Sequence, residues 1–180
     1  LMGGAISVDD DLVVIASTFS GNSAFSEGGA ISNGNGSPTL TNSTFFDNRA
    51  DLGGAVSNRN GAPIVTNCTF SDNTAATEGG AIFNAGALPV TVTNSILANS
   101  LTGGNCSAAG AGGPIADGGH NIDDGGTCGF TGATCGTTTG TSFCKTDPLL
   151  DPVGLTSNGG PTQTGALEAG SPAIDAGAGM

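Results

Sequence analysis

The sequence predicts an all-β chain. It reads as a parallel β-helix, a solenoid with coils of about 25 residues, followed by a disulfide-stapled Gly/Pro-rich C-terminal region. Three observations predict this. A Gly-Gly-Ala-(Ile/Val) tetrad begins at Gly3, Gly28, Gly53 and Gly79, at intervals of 25, 25 and 26 residues. A Phe-x-x-Asn motif keeps the same rhythm at Phe19–Asn22, Phe45–Asn48 and Phe70–Asn73, and degenerates to Ile96–Asn99. Within each unit short alternating runs such as 39–45 and 63–70 are bounded by Gly, Asn and Asp, the pattern of strands between turns.

One such unit cannot bury its apolar side, but stacked units can, each coil rising about 4.8 Å. Equivalent residues then lie one above another. The inner columns expected are Ile6/Ile31/Val56/Ile82 and Phe19/Phe45/Phe70/Ile96. Asn22/Asn48/Asn73/Asn99 and Asn33/Asn58/Asn84 are expected to form side-chain ladders, with Asn42/Asn67/Asn94 a further column that Ala16 interrupts. Cys68 shares a column with Ser17, Ser43 and Ser95, which reads as a small buried thiol.

The organisation expected is one continuous domain: four coils over 1–102, a Cys/Gly-rich stapled segment over 103–146, and a Pro/Gly-rich segment over 147–180 that would cap the solenoid end. Four of the five cysteines, Cys106, Cys128, Cys135 and Cys144, fall in the middle segment, which has little else to hold it. This predicts disulfides and an oxidising compartment. The preferred pairing is Cys106–Cys128 with Cys135–Cys144, among three connectivities. Zinc is disfavoured, since there is no pair of CxxC knuckles and His120 is the only histidine.

Charge excludes some functions. Three basic residues against 15 acidic ones give a net charge of -12, which cannot neutralise phosphates or dock on an anionic membrane. No apolar run is long enough for a membrane helix. The first residues lack the features of a signal peptide, so the chain reads as a processed or excised piece of a longer protein.

The repeated Gly-Gly-Ala-Ile and Phe-x-x-Asn motifs resemble those of chlamydial polymorphic outer membrane proteins and related bacterial surface proteins. A second set of motifs looks like the bacterial choice-of-anchor Q proteins: residues 94–99, Asn105-Cys106, Gly119-His120-Asn121-Ile122, Cys128, Asp147-Pro148-Leu149-Leu150, 158–162 and 170–175. Together they cover nearly the whole chain. The resemblance implies a right-handed parallel β-helix, secreted or displayed at the cell surface, without established catalytic residues. It also supports the Cys106–Cys128 pairing. The chain starts inside a repeat and stops where such proteins usually continue to an anchoring segment.

The function expected is therefore a non-catalytic extracellular structural or adhesive protein, not an enzyme. Its partners would be other copies of itself, joined head to tail in a filament, or surface glycans or proteins. The alternative is a carbohydrate-binding or carbohydrate-cleaving β-helix. A lyase would need a cationic base, and only Arg49, Arg59 and Lys145 exist. A hydrolase would need converging carboxylates, for which stacked Asp47 and Asp72 are the candidates. No cofactor is expected. The acid clusters Asp9-Asp10-Asp11 and Asp117, Asp123 and Asp124 could take only Ca²⁺, and read more simply as solvated loop acids. Of the sequons at Asn42, Asn67 and Asn105, only Asn105 is expected to be exposed, and the Thr137–Ser142 run is the candidate for O-linked sugar.

Overall fold

The computed structural model describes residues 3–110, 112–136 and 140–177. Among these there is no α-helix, and the chain winds into stacked β coils. The first coil holds β1 (Ile6–Val8), β2 (Val13–Ile15) and β3 (Thr18–Ser20). The second holds β4 (Ile31–Asn33), β5 (Thr39–Thr41), β6 (Thr44–Phe46) and β7 (Arg49–Leu52). The third holds β8 (Val56–Asn58), β9 (Ile64–Thr66), β10 (Thr69–Ser71) and β11 (Thr74–Glu78). The fourth holds β12 (Ile82–Asn84), β13 (Val90–Thr93) and β14 (Ile96–Ala98), and a fifth holds β15 (Cys106–Ala108), β16 (Ile115–Asp117) and β17 (Ile122–Asp123). A 3₁₀ turn at Ala133–Cys135, β18 (Phe143–Cys144) and a hairpin of β19 (Leu150–Thr156) and β20 (Thr164–Leu167) complete the chain.

Equivalent strands pair in parallel and make three long sheets. The first is β1-β4-β8-β12-β15, the second β2-β5-β9-β13-β16, and the third β3-β6-β10-β14-β17-β18. The core lies between them. Ile31, Val56 and Ile82 fill it from the first sheet, Leu40, Val65 and Val92 from the second, and Phe45, Phe70 and Leu97 from the third. Phe19, Phe45 and Phe70 stack face over face, with ring centroids 5.1 and 4.6 Å apart.

The repeat residues are the ones this winding needs. The first Gly of each tetrad has positive φ, +61° at Gly28, where L side chains are strained. The second packs against the next coil, and a Cβ on Gly29 would lie 2.1 Å from the Gly54 carbonyl oxygen. The bend between the second and third sheets falls on Ala16, Asn42, Asn67, Asn94 and His120, all left-handed with φ between 45° and 57°. Asn tolerates that conformation best among residues with a side chain, so the column is Asn-rich. Ala16 breaks the amide column but not the bend, and the one histidine is its last member.

The pairing corrects three expectations. The stacking does not stop at residue 102. Gly103 and Gly104 accept from the amides of Gly79 and Gly80, and Cys106 pairs with Ile82, so Gly103-Gly104-Asn105-Cys106 is a fifth tetrad in which Asn replaces Ala. Leu97, not Ile96, continues the phenylalanine column, because β10 and β14 pair Phe70 with Leu97. The turn after β12 is one residue longer than its counterpart after β8, so Ile64 pairs with Thr91, a spacing of 27. The same shift moves Asn99 out of the ladder and onto an exposed turn, in the column of Asp47 and Asp72.

Finally, the 147–180 segment does not cap the end. Its hairpin lies along the flank, on the outer side of the third sheet, with the Gln163 carbonyl accepting from Thr18 of the first coil at 2.7 Å. Gly154 approaches the Phe46 ring, and His120 Nδ1 meets the Ala176 carbonyl at 2.8 Å. The physical reason is apolar residues on the outer side of this sheet: β19 lies over Phe46, and the row Ile96, Ile122 and Phe143 faces Leu167, Ala173 and Ala176. The end of the core is closed instead by segment 125–146, through buried Phe130 and the disulfides Cys106–Cys128 and Cys135–Cys144.

Cys106–Cys128 closes a loop with a sequence separation of 22. Its loss in a Cys106→Ala/Cys128→Ala chain is expected to cost about 3 kcal/mol. Because each coil contacts only its neighbours, the cost should be local. Hydrogen exchange should quicken in β15 to β18 and stay unchanged in β4 to β6.

Candidate functional site

Each long sheet presents an outer flank, and the three differ in chemistry. The flank of the first sheet is a polar groove. Its floor is the outward serine column Ser7, Ser32 and Ser57, and its rim carries Asp9, Asn35 and Asn60. Over it lies a bidentate ion pair in which Arg59 Nε and Nη2 donate to the two Glu27 carboxylate oxygens, both at 2.8 Å. Ser57 Oγ also donates to Glu27, at 3.3 Å. The hydrogen bond and charge of Glu27 raise the Arg59 pKa above its ordinary value. Arg59, one of the three cationic candidates for a lyase base, is thus committed to Glu27.

The flank of the third sheet is roofed by the hairpin, leaving a cleft of about 310 Å³. Asp72 lines its solenoid wall and Asp151 its hairpin wall, with Phe46 between. The Asp72 carboxylate accepts from Ser71 Oγ, and Asp151 accepts from the Val153 amide at 2.9 Å. Asp47 occupies the same left-handed column as Asp72 but does not line the cleft. Arg49 lies elsewhere, beside Asp51 and the exposed Phe25.

The flank of the second sheet is open. On β2, β5, β9 and β13 its outward residues are Val13, Thr39, Ile64 and Thr91 in one row and Ile15, Thr41, Thr66 and Thr93 in the next, and β16 adds Ala116 to the first row. Strands β2, β5, β9 and β13 contain no charged residue. Val13 and Ile15 are 67% and 60% exposed. Among the described residues, no hydrogen bond within the chain engages the hydroxyls of the five threonines. Sequence reading passed over this surface, although Thr-x-Thr at 39–41 and 91–93 was its signal.

The ladder residues hold the coils together. Asn33 Nδ2 donates to Asn58 Oδ1 at 2.6 Å, and Asn58 Nδ2 to Asn84 Oδ1 at 2.7 Å. This ladder ends at Asn33, whose buried Oδ1 has no partner because the next coil offers Val8. In the other column Asn22 Nδ2 donates to Asn48 Oδ1 at 2.9 Å, and Asn48 Nδ2 to Asn73 Oδ1 at 3.0 Å. Asn99 takes no part, and its backbone amide donates to Asp124.

The acids expected to be solvated at the far end are built into it. Asp123 is fully buried and accepts from Asn105 Nδ2 at 2.7 Å and from the amides of Gly125 and Cys128. Asp124 accepts a second bond from Asn105. Asn105 is thus buried, not exposed, because its tetrad position points inward, and its sequon is closed to glycosylation. Asp117 points inward beyond Val92 and accepts from Gly119 N, Asn121 Nδ2, Thr131 N and Oγ1, and Ser142 Oγ, at 2.7 to 2.9 Å. At the other end Asp9 and Asp11 meet Asn35 Nδ2 and the Ser37 amide, and Asp10 lies on the same turn. Among the described residues no three His, Cys, Asp or Glu side chains gather to hold a metal ion. Cys68 is a buried free thiol, with its pKa pushed up to about 11 by burial. Thr137–Thr139 lie outside the described residues, and Ser142 is buried.

Burial raises the Asp117 pKa, but its donors outweigh that and hold it below the ordinary carboxylate value. A lowered folded-state pKa contributes stability above the unfolded value of about 3.9, and loses it as pH falls through the folded value. The Asp117→Asn chain should therefore melt below the wild type at neutral pH. The gap should narrow in scans taken below about pH 4.

The chain contains two matches to the Chlamydia polymorphic membrane protein repeat, at residues 16–34 and 67–85. Each match runs from the bend before the third sheet, through the Phe-x-x-Asn motif and the Gly-Gly tetrad, to the end of a first-sheet strand. The protein is a parallel β-solenoid whose sequence is similar to this repeat at those two places. Comparison with curated proteins and with solved structures gave no match.

Proposed function

We propose that this chain is a non-catalytic extracellular scaffold at a bacterial cell surface, structural or adhesive in role. The observation that carries the reading is where the polar side chains are spent. The Asn ladders, the Glu27–Arg59 pair and the Asp117 and Asp123 carboxylates are used to lock coil to coil. A rod stiffened in this way can present one long flank to a partner without an ordering cost. The matched repeat, whose name places its family at a membrane, supports display at the surface. The partners are other copies of the chain, or surface glycans or proteins.

The test is binding of the oxidised chain to bacterial cells and to a glycan array, with light scattering and negative-stain microscopy on the same samples. Saturable binding by a stiff particle supports the scaffold, and uniform filaments make its contacts end to end. Absence of both overturns it. A second reading, carbohydrate cleavage, draws on the cleft that Asp72 and Asp151 share. Release of reducing ends from any polysaccharide, with or without Ca²⁺, and its loss in Asp151→Asn would establish that reading in place of the first.

A further inference from the structure

We infer that the open flank of the second sheet is an ice-binding surface, so that the partner of the scaffold is the ordered lattice of frozen water. This deepens the scaffold reading and rests on it. The flank is a two-row grid. Successive coils repeat it about 4.8 Å apart, and the two rows of one strand are separated by about 6.7 Å. In-register pairing makes the grid regular: Val13 stands on Thr39 and Thr39 on Ile64, while Ile15 stands on Thr41 and Thr41 on Thr66. A translation by one coil carries each outward position onto the next, with valine, isoleucine or threonine at every one of them from β2 to β13. Only a partner that is itself periodic in two dimensions can use every position at once, and ice has repeats of closely similar size.

The chemistry agrees with the geometry. All eight outward residues of β2, β5, β9 and β13 are β-branched, and each carries at least one methyl group. Methyl groups order the first shell of water around themselves, and threonine hydroxyls tie that water to the protein. Among the described residues the five hydroxyls have no partner, and they can bond water. Although the chain carries a net charge of -12, none of it lies on these strands. The total charge opposes face-to-face pairing of two copies. A crystalline sugar surface would call for aromatic platforms, and the chain has no Trp or Tyr, with no Phe on this flank. The core behind the grid is fixed by buried Leu40, Val65 and Val92, so the spacing is set before contact.

The experiment holds a single ice crystal in a nanolitre droplet of the purified chain and cools it slowly. The wild type should arrest growth over an interval below the melting point and facet the crystal. Thr66→Lys and Thr91→Lys each place a long charged chain on the grid and should abolish the interval, with thermal unfolding unchanged. Thr77→Lys, on exposed strand β11 away from the grid, should keep it. Unhindered ice growth in the wild type, or an interval that survives in the folded Thr66→Lys chain, overturns the inference. Cell binding is scored in parallel. Binding to cells without any effect on ice removes this inference and leaves the scaffold standing, whereas arrest of ice growth without cell binding upholds it.

Discussion

Replacing Asn73 with alanine is expected to destabilise the chain by about 3–5 kcal/mol, a large share of the stability of a domain this size. Asn73 is fully buried between coils. Its Oδ1 accepts from both the backbone amide and Nδ2 of Asn48, each at 3.0 Å, and its Nδ2 donates to the Phe45 carbonyl at 2.9 Å. Alanine would leave those groups without these bonds and out of reach of solvent, and each such loss costs about 1–3 kcal/mol. Asn99 makes the comparison. It has the same motif spacing but lies on an exposed left-handed turn with φ of 57°. Glycine adopts that conformation freely, so Asn99→Gly should change stability by less than about 1 kcal/mol. Urea midpoints for the two variants decide the matter, and equal losses would mean that Asn99 belongs to the ladder after all.

That comparison marks how far the repeat was legible. Spacing alone identified the coils, because Gly-Gly and Phe-x-x-Asn answer to steric demands that recur once per turn. The Phe-x-x-Asn reading fails by a small slip where the turn after Asn84 gains a residue, since a motif search has no way to weigh one inserted turn residue against one degenerate letter. Hydrogen-bond register settles it by pairing Phe70 with Leu97. The fifth coil was hidden because Gly103-Gly104-Asn105-Cys106 carries an amide where Ala was expected. That amide is there to meet Asp123 and Asp124, acids from 18 and 19 residues further on. Such a pairing is set by winding, not by any local pattern.

The flanks were the least legible part. Outward residues are chosen for what lies outside the coil, and a sequence periodic in its core says little about that. The apolar residues Ile96, Ile122 and Phe143 belong to different coils and share no motif, yet they stack in one row against the C-terminal segment. Glu27 and Arg59 are 32 residues apart and meet across coils. The threonine grid was visible as Thr-x-Thr but was read only as strand propensity, which accounts for β-branched residues without saying which side of the sheet they face.

Truncation of Phe45 to alanine is expected to cost about 3–5 kcal/mol, and more than the same change at Phe19. Phe45 is fully buried and stacked on both sides, between Phe19 and Phe70, with interplanar angles of 5° and 3°. Phe19 has a ring neighbour on one side and is only partly buried. Removing the middle ring opens a gap between coils, and close-packed interiors relax only partly around such gaps. In a solenoid the consequence is more than a lower total. Stability is a chain of nearest-neighbour interfaces, so a weak link in the second coil should let the first coil melt ahead of the rest. Phe45→Ala should therefore unfold in urea over a broadened transition, with amides of β3 losing exchange protection before those of β10. The Phe19→Ala chain should keep a single transition at a modestly lower midpoint. Equal losses, or one sharp transition for both, would mean that the rings add burial independently and that the stack does not couple the coils.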